Sequence, residues 1–529
     1  MKSASKFSML LLPAIVSLAG CGGGDETFKS GDVGRLDQPN IFQPPGSTWT
    51  PGSFLPASTF KNRCANPRSG TSDLSGTVTD ENNWLRSWTN DTYLWFTEVT
   101  DRNPALFSST LDYFALLKTT ASTASGAAKD KFHFTYGTEE WQQLSQGGIT
   151  AGYGASFEIL APSPPRRIVV AFVDEDTPAF GELFRGDEIL EVDGQDAVNG
   201  NTEATVFALN GGLFPAELGE NHTFVVRGTD GMQRTVTLGS EEVFIEPTPV
   251  VQVLNTGSGN VGYLLFNDHS APAEDSLATA IQTLDNANVT DLILDIRYNG
   301  GGYLDIASEA AYMIANPTLT SGQTFERLVF NSKHPSVDPV TGETITPTPF
   351  HSTKVFGNGS ALPNLGLGRV YVITGPGTCS ASEAIINGLR GVGVQVYVIG
   401  STTCGKPYGF YPTDNCGTTY FSIQFRGEND AGFGDYTDGF SPVNTATNAG
   451  TTVPGCSVAD DFTHELGDPA EGRIAAALSF RSSNNQTCPA ATGFTDPRLS
   501  KMSYQSAPDR SLWVSKPAAR MNRILRRVN

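Results

Sequence analysis

Basic residues are scarce in this sequence of 529 residues, which has 35 Lys and Arg against 55 Asp and Glu and a formal net charge of −20. A chain this acidic repels phosphate backbones, which argues against nucleic acid as a partner. A fixed-period internal repeat is also lacking, which argues against solenoid and propeller folds. The length instead predicts two or three domains, and the 39% hydrophobic content is enough for sizeable cores.

Two common hydrolase signatures are absent. The chain has no HExxH zinc motif and no GxSxG elbow, and its six histidines form no recognisable triad or zinc-ligand spacing. A Ser-His-Asp enzyme stays open, because triad partners need only meet in space. The sequence implies neither a metal nor an organic cofactor.

Long apolar runs are lacking except near the N terminus. Lys2 and Lys6 precede an apolar run through Val16 that is too short for a comfortable membrane span. The run ends in Leu-Ala-Gly-Cys21, which resembles a bacterial lipobox rather than a plain secretory signal. We therefore expect a signal peptide at 1–21, a lipid anchor on Cys21 and a place in the cell envelope, at the outer membrane facing the periplasm or the cell surface.

Shifts in composition divide the rest of the chain into five regions. The predicted order is a Gly/Pro-rich tether at 22–75, a helical N-terminal region at 76–146, a β-rich domain at 147–245, an α/β core at 246–480 and a basic tail at 481–529. In the core, strand-like and helix-like segments alternate, which predicts parallel crossovers and a helix-covered sheet. From residue 497 onward, eight basic residues stand against Asp509 alone, and this tail could dock onto the acidic body or onto anionic lipid, or be a solvated terminus.

Ser380 lies where a small-residue turn opens into a helix, in "ITGPGTCSASEAIINGLRG". Lys406 lies in a Gly-bounded turn after the next predicted strand, "VQVYVIG". Since the carboxyl ends of parallel strands meet at one edge of a sheet, the two loops are expected to meet. A lysine, whose usual pKa is ~10.4, must be desolvated to act as a neutral base for a serine nucleophile near pH 7.

A third loop, "LDIRYNGGGYL", carries three glycines after a strand. Glycines let backbone approach a ligand closely. The N–H groups of Gly301 and Gly302, with that of Ala381 at the helix start, are the candidates to hold a developing oxyanion.

These three motifs, in this order after the β-rich domain, resemble the carboxyl-terminal processing peptidases of peptidase family S41, over roughly residues 80–475. The family places its nucleophile in S-A-S-E and its lysine in T-x-G-K, which are matched here by Ser380–Glu383 and Thr403–Lys406. The resemblance implies a mixed α/β, crotonase-like catalytic core behind a helical cap and a PDZ-like β domain. It also implies a serine endopeptidase that acts on polypeptides.

The β-rich region resembles a PDZ domain around "DTPAFGELFRGDEILEVDGQDA". Its carboxylate-binding loop would comprise Gly152, Tyr153, Gly154 and Ala155, before a strand that pairs with a bound peptide. Substrates would then be selected by their C-terminal ends. A generic small β-barrel without a ligand is the alternative, and neither an adaptor nor an oligomeric state follows from the sequence.

The sequence departs from the family pattern at Phe410, where processing peptidases often carry a Gln that orients the lysine. Thr403 and Gln424 are candidates to replace it, and helix capping is expected to be the larger part of the roles of Ser382 and Glu383. The departure also keeps open a catalytically silent S41-like lipoprotein that only binds peptides or other ligands.

Six cysteines remain if Cys21 is lipidated, an even number in an exported chain. Cys379 and Cys404 flank the proposed dyad, so their Cα atoms could come within the ~4.4–6.8 Å that a disulfide needs. We expect a Cys379–Cys404 bond that ties the two loops, with Cys416–Cys456 and Cys64–Cys488 as the remaining pairs; two reduced, buried thiols are the alternative.

Overall fold

The computed structural model describes residues 49–446 and 450–492 and the backbone of 522–524. The predicted signal peptide, Cys21 and the first part of the predicted tether lie outside the described residues. Among the described residues, no helix has both the length and the apolar character needed to cross a membrane.

Short elements surround one long helix in the N-terminal region. They are β1 (Arg63–Cys64), β2 (Leu74–Ser75), α1 (Val78–Thr92), α2 (Thr110–Ala115), β3 (Phe134–Gly137) and α3 (Thr138–Gln142). Helix α1 begins at a capping box between Thr77 and Asp80, and it buries the stacked rings of Trp84 and Trp88. In contrast to the sequence expectation, residues 49–75 are not all tether, because Trp49 is buried and Cys64 is bonded to Cys416.

The β-rich region comprises a main antiparallel sheet with one helix against it and a separate two-stranded antiparallel sheet formed by its first and last strands. Its elements are β4 (Ile149–Gly152), β5 (Ala155–Ala161), β6 (Arg167–Val173), β7 (Glu188–Val192), β8 (Gln195–Asp196), α4 (Glu203–Leu213), β9 (Asn221–Arg227), β10 (Gln233–Gly239) and β11 (Glu241–Phe244). The main path runs β10-β9-β7-β6-β5, so β5 lies at an edge. Alternate residues of the strands, such as Val170 and Phe224, share one core with Leu209 of α4.

The α/β region follows as one continuous run of elements. They are β12 (Val250–Thr256), β13 (Gly259–Leu265), α5 (Ala273–Asn286), β14 (Asp291–Asp295), β15 (Gly301–Tyr303), α6 (Leu304–Ile314), α7 (Pro317–Thr320), β16 (Thr324–Phe330), β17 (Thr348–Pro349), β18 (Arg369–Thr374), α8 (Ala381–Gly391), β19 (Gln395–Gly400), β20 (Tyr408–Gly409), β21 (Thr413–Asn415), β22 (Thr418–Phe421), β23 (Phe425–Glu428), β24 (Phe440–Pro442), β25 (Thr451–Val453), β26 (Gly455–Ser457) and α9 (Gly472–Ser482). A short strand, β27 (Asn522–Ile524), comes later in the chain.

The central sheet has the order β12-β13-β14-β18-β19-β26, and it is parallel from β13 to β26. Helices α5, α6 and α8 cover one face in a shared core, and α9 packs on the other. The predicted mixed α/β, helix-covered core is therefore confirmed. The core continues beyond the expected boundary at 480, because α9 ends at Ser482 and Cys488 is bonded to Cys456.

Candidate active site

Three loops leave the carboxyl ends of neighbouring parallel strands and meet at one edge of the sheet. They follow β14, β18 and β19, and they carry the Gly motif, Ser380 and Lys406 respectively. The parallel order predicted from the sequence therefore places the three motifs side by side.

Ser380 caps α8 in a strained backbone conformation, with φ 61° and ψ −111°. A residue other than glycine held at such a positive φ costs about 1–3 kcal/mol and persists only where its surroundings enforce it. Ala381 is the first residue of α8, so its N–H lies at the positive end of the helix dipole. The turn therefore presents a serine next to a helix N terminus that favours negative charge.

Asn299 connects the Gly loop to the Ser380 turn. Its carbonyl accepts the N–H of Cys379 (3.1 Å) and the hydroxyl of Ser382 (2.9 Å), so Ser382 positions the loop rather than capping α8. Its Oδ1 atom accepts the N–H of Gly301 (2.9 Å). Gly301 is thereby engaged, and the oxyanion candidates narrow to Gly302 and Ala381.

His269 supports Asn299 from behind. The Nδ1 atom of His269 lies 2.9 Å from Asn299 Oδ1, and the side chain is fully buried. Burial lowers the pKa of His269 to about 3, so this imidazole is neutral and weakly basic at pH 7. His269 therefore helps to hold Asn299 and the Gly loop in place.

Glu383 joins the Ser380 turn to the Lys406 loop. Its carboxylate accepts the backbone N–H groups of Ser380 (3.0 Å), Gly405 (2.9 Å) and Lys406 (2.8 Å), and also the hydroxyl of Thr403. Burial raises the pKa of Glu383 above its usual value, while these four hydrogen bonds oppose the shift. The expected capping of α8 is thus one part of a wider role that spans both loops.

Lys406 is fully buried between two aromatic rings. Its Nζ atom lies 4.5 Å from the ring centroid of Phe410 and 4.8 Å from that of Phe132. Phe410, which stands where a Gln was expected, therefore contacts the lysine directly. Phe132 comes from the N-terminal region, and no motif in the sequence pointed to it.

The two residues considered as replacements for that Gln have other partners. The Thr403 hydroxyl donates to Glu383 and accepts the N–H of Phe440 (2.8 Å). The Gln424 side-chain oxygen accepts the N–H of Tyr411 (2.7 Å). Thr403 thus acts through Glu383, and Gln424 holds the chain after Phe410.

The structure joins Cys379 to Cys404, the pair expected from their places beside the dyad, with a Cα–Cα distance of 5.2 Å. The exposed Lys131 also contacts this loop, because its Nζ atom donates to the Cys404 carbonyl (2.9 Å), and no pattern in the sequence indicated this contact. The other two expected pairs are wrong: Cys64 bonds Cys416, and Cys456 bonds Cys488. The reason is the fold, because Cys416 lies where the N-terminal segment packs, while Cys456 on β26 lies next to the chain that follows α9.

The sulfur atoms of Cys379 and Cys404 and a carboxylate oxygen of Glu383 lie within 4.8 Å of one another. This is the spacing of a metal-ligand cluster. Both sulfurs are bonded to each other, however, so they carry no thiolate for a metal.

The proposed carboxylate loop of the β-rich domain joins two strands, because Gly152 ends β4 and Ala155 begins β5. The Tyr153 hydroxyl donates to the Gly212 carbonyl of α4 (2.9 Å), which ties the loop to the helix. Gly154 has φ 76°, and an added Cβ would meet the side chain of Thr177, so glycine is required there.

The β-rich domain contacts the α/β core through Arg185. Its guanidinium donates to the Tyr298 hydroxyl (2.8 Å) and to Asp460 (3.0 Å), and Asp460 also pairs with Arg297 (2.6 Å). Burial alone would raise the pKa of Asp460, but the charges of Arg473, Arg297 and Arg185 outweigh burial and hold it well below its usual range. A buried ionic network therefore runs from the β-rich domain to the loop after β14.

A cavity of about 610 Å³ opens beside the start of β20, two residues after Lys406. Its lining includes Trp95, Phe330, Arg426 and Tyr408. Its walls combine aromatic rings with two cations, Lys129 and Arg426, and the carboxylate of Asp435, so the cavity can hold an extended side chain of mixed character.

Comparison with known proteins agrees with this geometry. Residues 260–410 match peptidase family S41. Carboxyl-terminal-processing peptidase 3, chloroplastic, of Arabidopsis thaliana is 22% identical over 273 residues, which are 51% of this chain and 48% of that relative. The chain thus spans about half the length of this curated relative.

Among solved structures, a Bacteroides fragilis protein assigned to the S41 proteases superposes with a TM-score of 0.55. The two are 20% identical, and the superposition covers 76% of this chain and 98% of that one. This likeness concerns the fold.

Proposed function

We propose that this protein is a serine endopeptidase of family S41 that cleaves exported polypeptides with a dyad of Ser380 and Lys406, a proposal supported by the match of residues 260–410 to peptidase family S41. The observation that carries the proposal is the strained Ser380 turn, which Glu383 and the Cys379–Cys404 bond hold against the Lys406 loop. Strain of this kind collects at functional sites.

In the proposed reaction, Ser380 Oγ attacks the scissile carbonyl carbon while Lys406 Nζ takes the hydroxyl proton. The N–H groups of Gly302 and Ala381 hold the oxyanion that forms. The C–N bond then breaks, Lys406 returns the proton to the leaving amine, and the acyl group stays on Ser380. A water molecule, deprotonated by Lys406, releases the second product and restores the serine.

Hydrolysis of unfolded casein tests this proposal. We expect the wild type and a control, Ser321→Ala at an exposed serine, to degrade casein, while a folded Ser380→Ala variant does not. A fluorophosphonate should label Ser380 in the first two proteins only. Casein degradation by Ser380→Ala would refute the assignment of the nucleophile.

We propose that Lys406 and Ser380 act as one unit, so the effects of Lys406→Ala and Ser380→Ala should not add. If a folded Lys406→Ala variant kept most of the activity, a residue other than Lys406 would deprotonate Ser380. Complete burial of Lys406 supports its role, since burial penalises the charged form of an amine.

We also propose that the β-rich domain acts as a PDZ-like selector of C-terminal ends. The edge position of β5 and the link from the 152–155 loop to α4 support this, because a peptide strand can add to an open edge. Matched peptides with a free or an amidated C terminus test it: the amide should be processed more slowly. Equal rates would remove this selection and leave the dyad untouched.

A lipid anchor at Cys21 and a site in the cell envelope complete the proposal. The three disulfides among the described residues support an oxidising compartment. Expression in a Gram-negative host should give a membrane-associated wild type and a released Cys21→Ala variant. Equal membrane association of the two would contradict the anchor.

A catalytically silent peptide-binding protein is the second candidate, favoured by Phe410 in the place of the expected Gln. The casein and fluorophosphonate assays distinguish the two functions. A folded wild type that fails in both would support the silent protein.

A further inference from the structure

The strand β27 pairs in parallel with β15, the strand that contains Gly302. The register places Asn522 opposite Gly301, Arg523 opposite Gly302 and Ile524 opposite Tyr303. The same three residues also lie beside β20, which begins two residues after Lys406, and beside α8, which follows Ser380. A late segment of the chain therefore runs through the meeting point of the three site loops.

The opposite edge of β15 is already taken by His269. The Tyr303 N–H donates to the His269 carbonyl (3.0 Å), and Gly302 bridges His269 on that side. Successive N–H groups of a strand point to opposite edges. The Gly302 N–H, one of the two remaining oxyanion candidates, thus lies on the edge that β27 pairs with.

Burial and charge agree with this placement. Ser380 and Lys406 are both 0% exposed, so a substrate carbonyl can reach them only after some covering chain moves. Residues 497–529 contain eight of the 35 basic residues but one of the 55 acidic residues. A basic segment is attracted to an acidic body, which favours docking on this protein.

We propose that residues 522–524 occupy the substrate-binding edge of β15 and hold the protein in a self-inhibited state until substrate displaces them. The inference rests on the proposed peptidase function, because it takes the β15 edge as the place where a substrate backbone binds. A segment tethered to the same chain competes at an effective concentration that can reach the mM range. Competition of this kind raises KM and leaves kcat unchanged.

Truncation after Thr492 tests the inhibition on a casein-derived peptide. We expect KM to fall about tenfold or more, since the apparent affinity scales with the fraction of open protein, and kcat to stay within about twofold of the full chain. A synthetic 516–529 peptide should inhibit the truncated protein competitively, while its scrambled form should not. An unchanged KM would overturn the proposal. Cleavage of the C-terminal tail by the wild type, but not by Ser380→Ala, would also overturn it, because the tail would then be a substrate and not an inhibitor.

Two variants of the full chain separate strand pairing from charge. Arg523→Pro/Ile524→Pro removes backbone N–H groups from β27 and should lower KM as truncation does. Arg526→Ala/Arg527→Ala removes more charge just beyond the pairing and should change KM less than the proline variant. The reverse order of effects would refute pairing as the cause.

Amide hydrogen exchange in the Ser380→Ala variant measures the pairing of β27 with β15 in a protein that is not expected to cleave peptides. The Gly302 amide should exchange about tenfold faster or more after truncation, and the 516–529 peptide should restore its protection. Unchanged exchange overturns the pairing whatever the hydrolysis assay shows. Faster exchange in a protein that never hydrolyses casein would keep the pairing and refute only the proposed function.

Discussion

The Oε2 atom of Glu383 accepts a hydrogen bond of 2.8 Å from the backbone N–H of Lys406. The same carboxylate accepts the N–H of Ser380, so one buried group sets the separation of the two loops. A single side chain on the first turn of α8 therefore positions both members of the proposed dyad.

We expect Glu383→Gln to impair both folding stability and hydrolysis. The amide offers one acceptor oxygen and turns an NH2 group toward N–H donors, so buried donors lose their partners. The free energy of unfolding should fall by about 1–3 kcal/mol, and kcat should fall on the order of 100-fold because the loops shift. Denaturant unfolding and casein hydrolysis measure the two effects; an unchanged kcat would show that Glu383 does not set the geometry.

The Cys379–Cys404 bond should matter for catalysis as well as for stability. Cys379→Ala/Cys404→Ala opens a link between residues 25 apart in sequence, which should cost about 3 kcal/mol of unfolding free energy and lower kcat. Cys456→Ala/Cys488→Ala is the matched control, with a separation of 32. It should lose similar stability and keep kcat, and equal loss of kcat in both would contradict a special role for the first bond.

Phe410 should position Lys406 through its ring face. Phe410→Leu removes a ring whose centroid lies 4.5 Å from the lysine nitrogen. We expect kcat to fall about tenfold, which corresponds to the energy of one lysine–aromatic contact. Phe421→Leu is the matched control, because Phe421 is buried against Phe410 with ring centroids 5.2 Å apart. Both variants should lose stability. An equal fall in kcat for the two would mean that the loss of activity comes from disturbed aromatic packing and not from the contact of Phe410 with Lys406.

Local patterns in the sequence predicted most of the α/β core. The predicted alternation of strand-like and helix-like segments is present in the core, and the predicted parallel crossovers are found from β13 to β26. Because parallel strands end at one edge, the meeting of the Ser380 and Lys406 loops was also predictable. Such features follow from the hydrophobic periodicity of short segments and from the right-handedness of parallel crossovers, and both can be inferred from local sequence.

Contacts between distant segments were not predictable in the same way. Phe132 reaches Lys406 from the N-terminal region, and β27 reaches β15 from the end of the chain. The pairing of Cys64 with Cys416 spans 352 residues. No local pattern encodes such partners, because they depend on how whole regions pack together.

The last prediction concerns pH and Glu309 on α6. Burial and the neighbouring Glu274 raise the pKa of Glu309 to about 9, so this carboxyl is protonated at pH 7 in the folded protein. In the unfolded chain it ionises near its usual pKa of ~4.3. The folded state thus binds the extra proton between these values, and its stability should fall as pH rises from about 5 to about 9.

Glu309→Gln should remove this pH-dependent loss. The amide stays neutral at every pH, and its oxygen can still accept the N–H of Val355, which Glu309 Oε1 accepts at 2.9 Å. Denaturant unfolding at pH 5, 7 and 9 should show the variant gaining on the wild type at each step. Glu343→Gln at an exposed site is the control and should follow the wild type. Parallel curves for Glu309→Gln and the wild type would mean that Glu309 is ionised in the folded protein, with its charge compensated by the N–H groups around it.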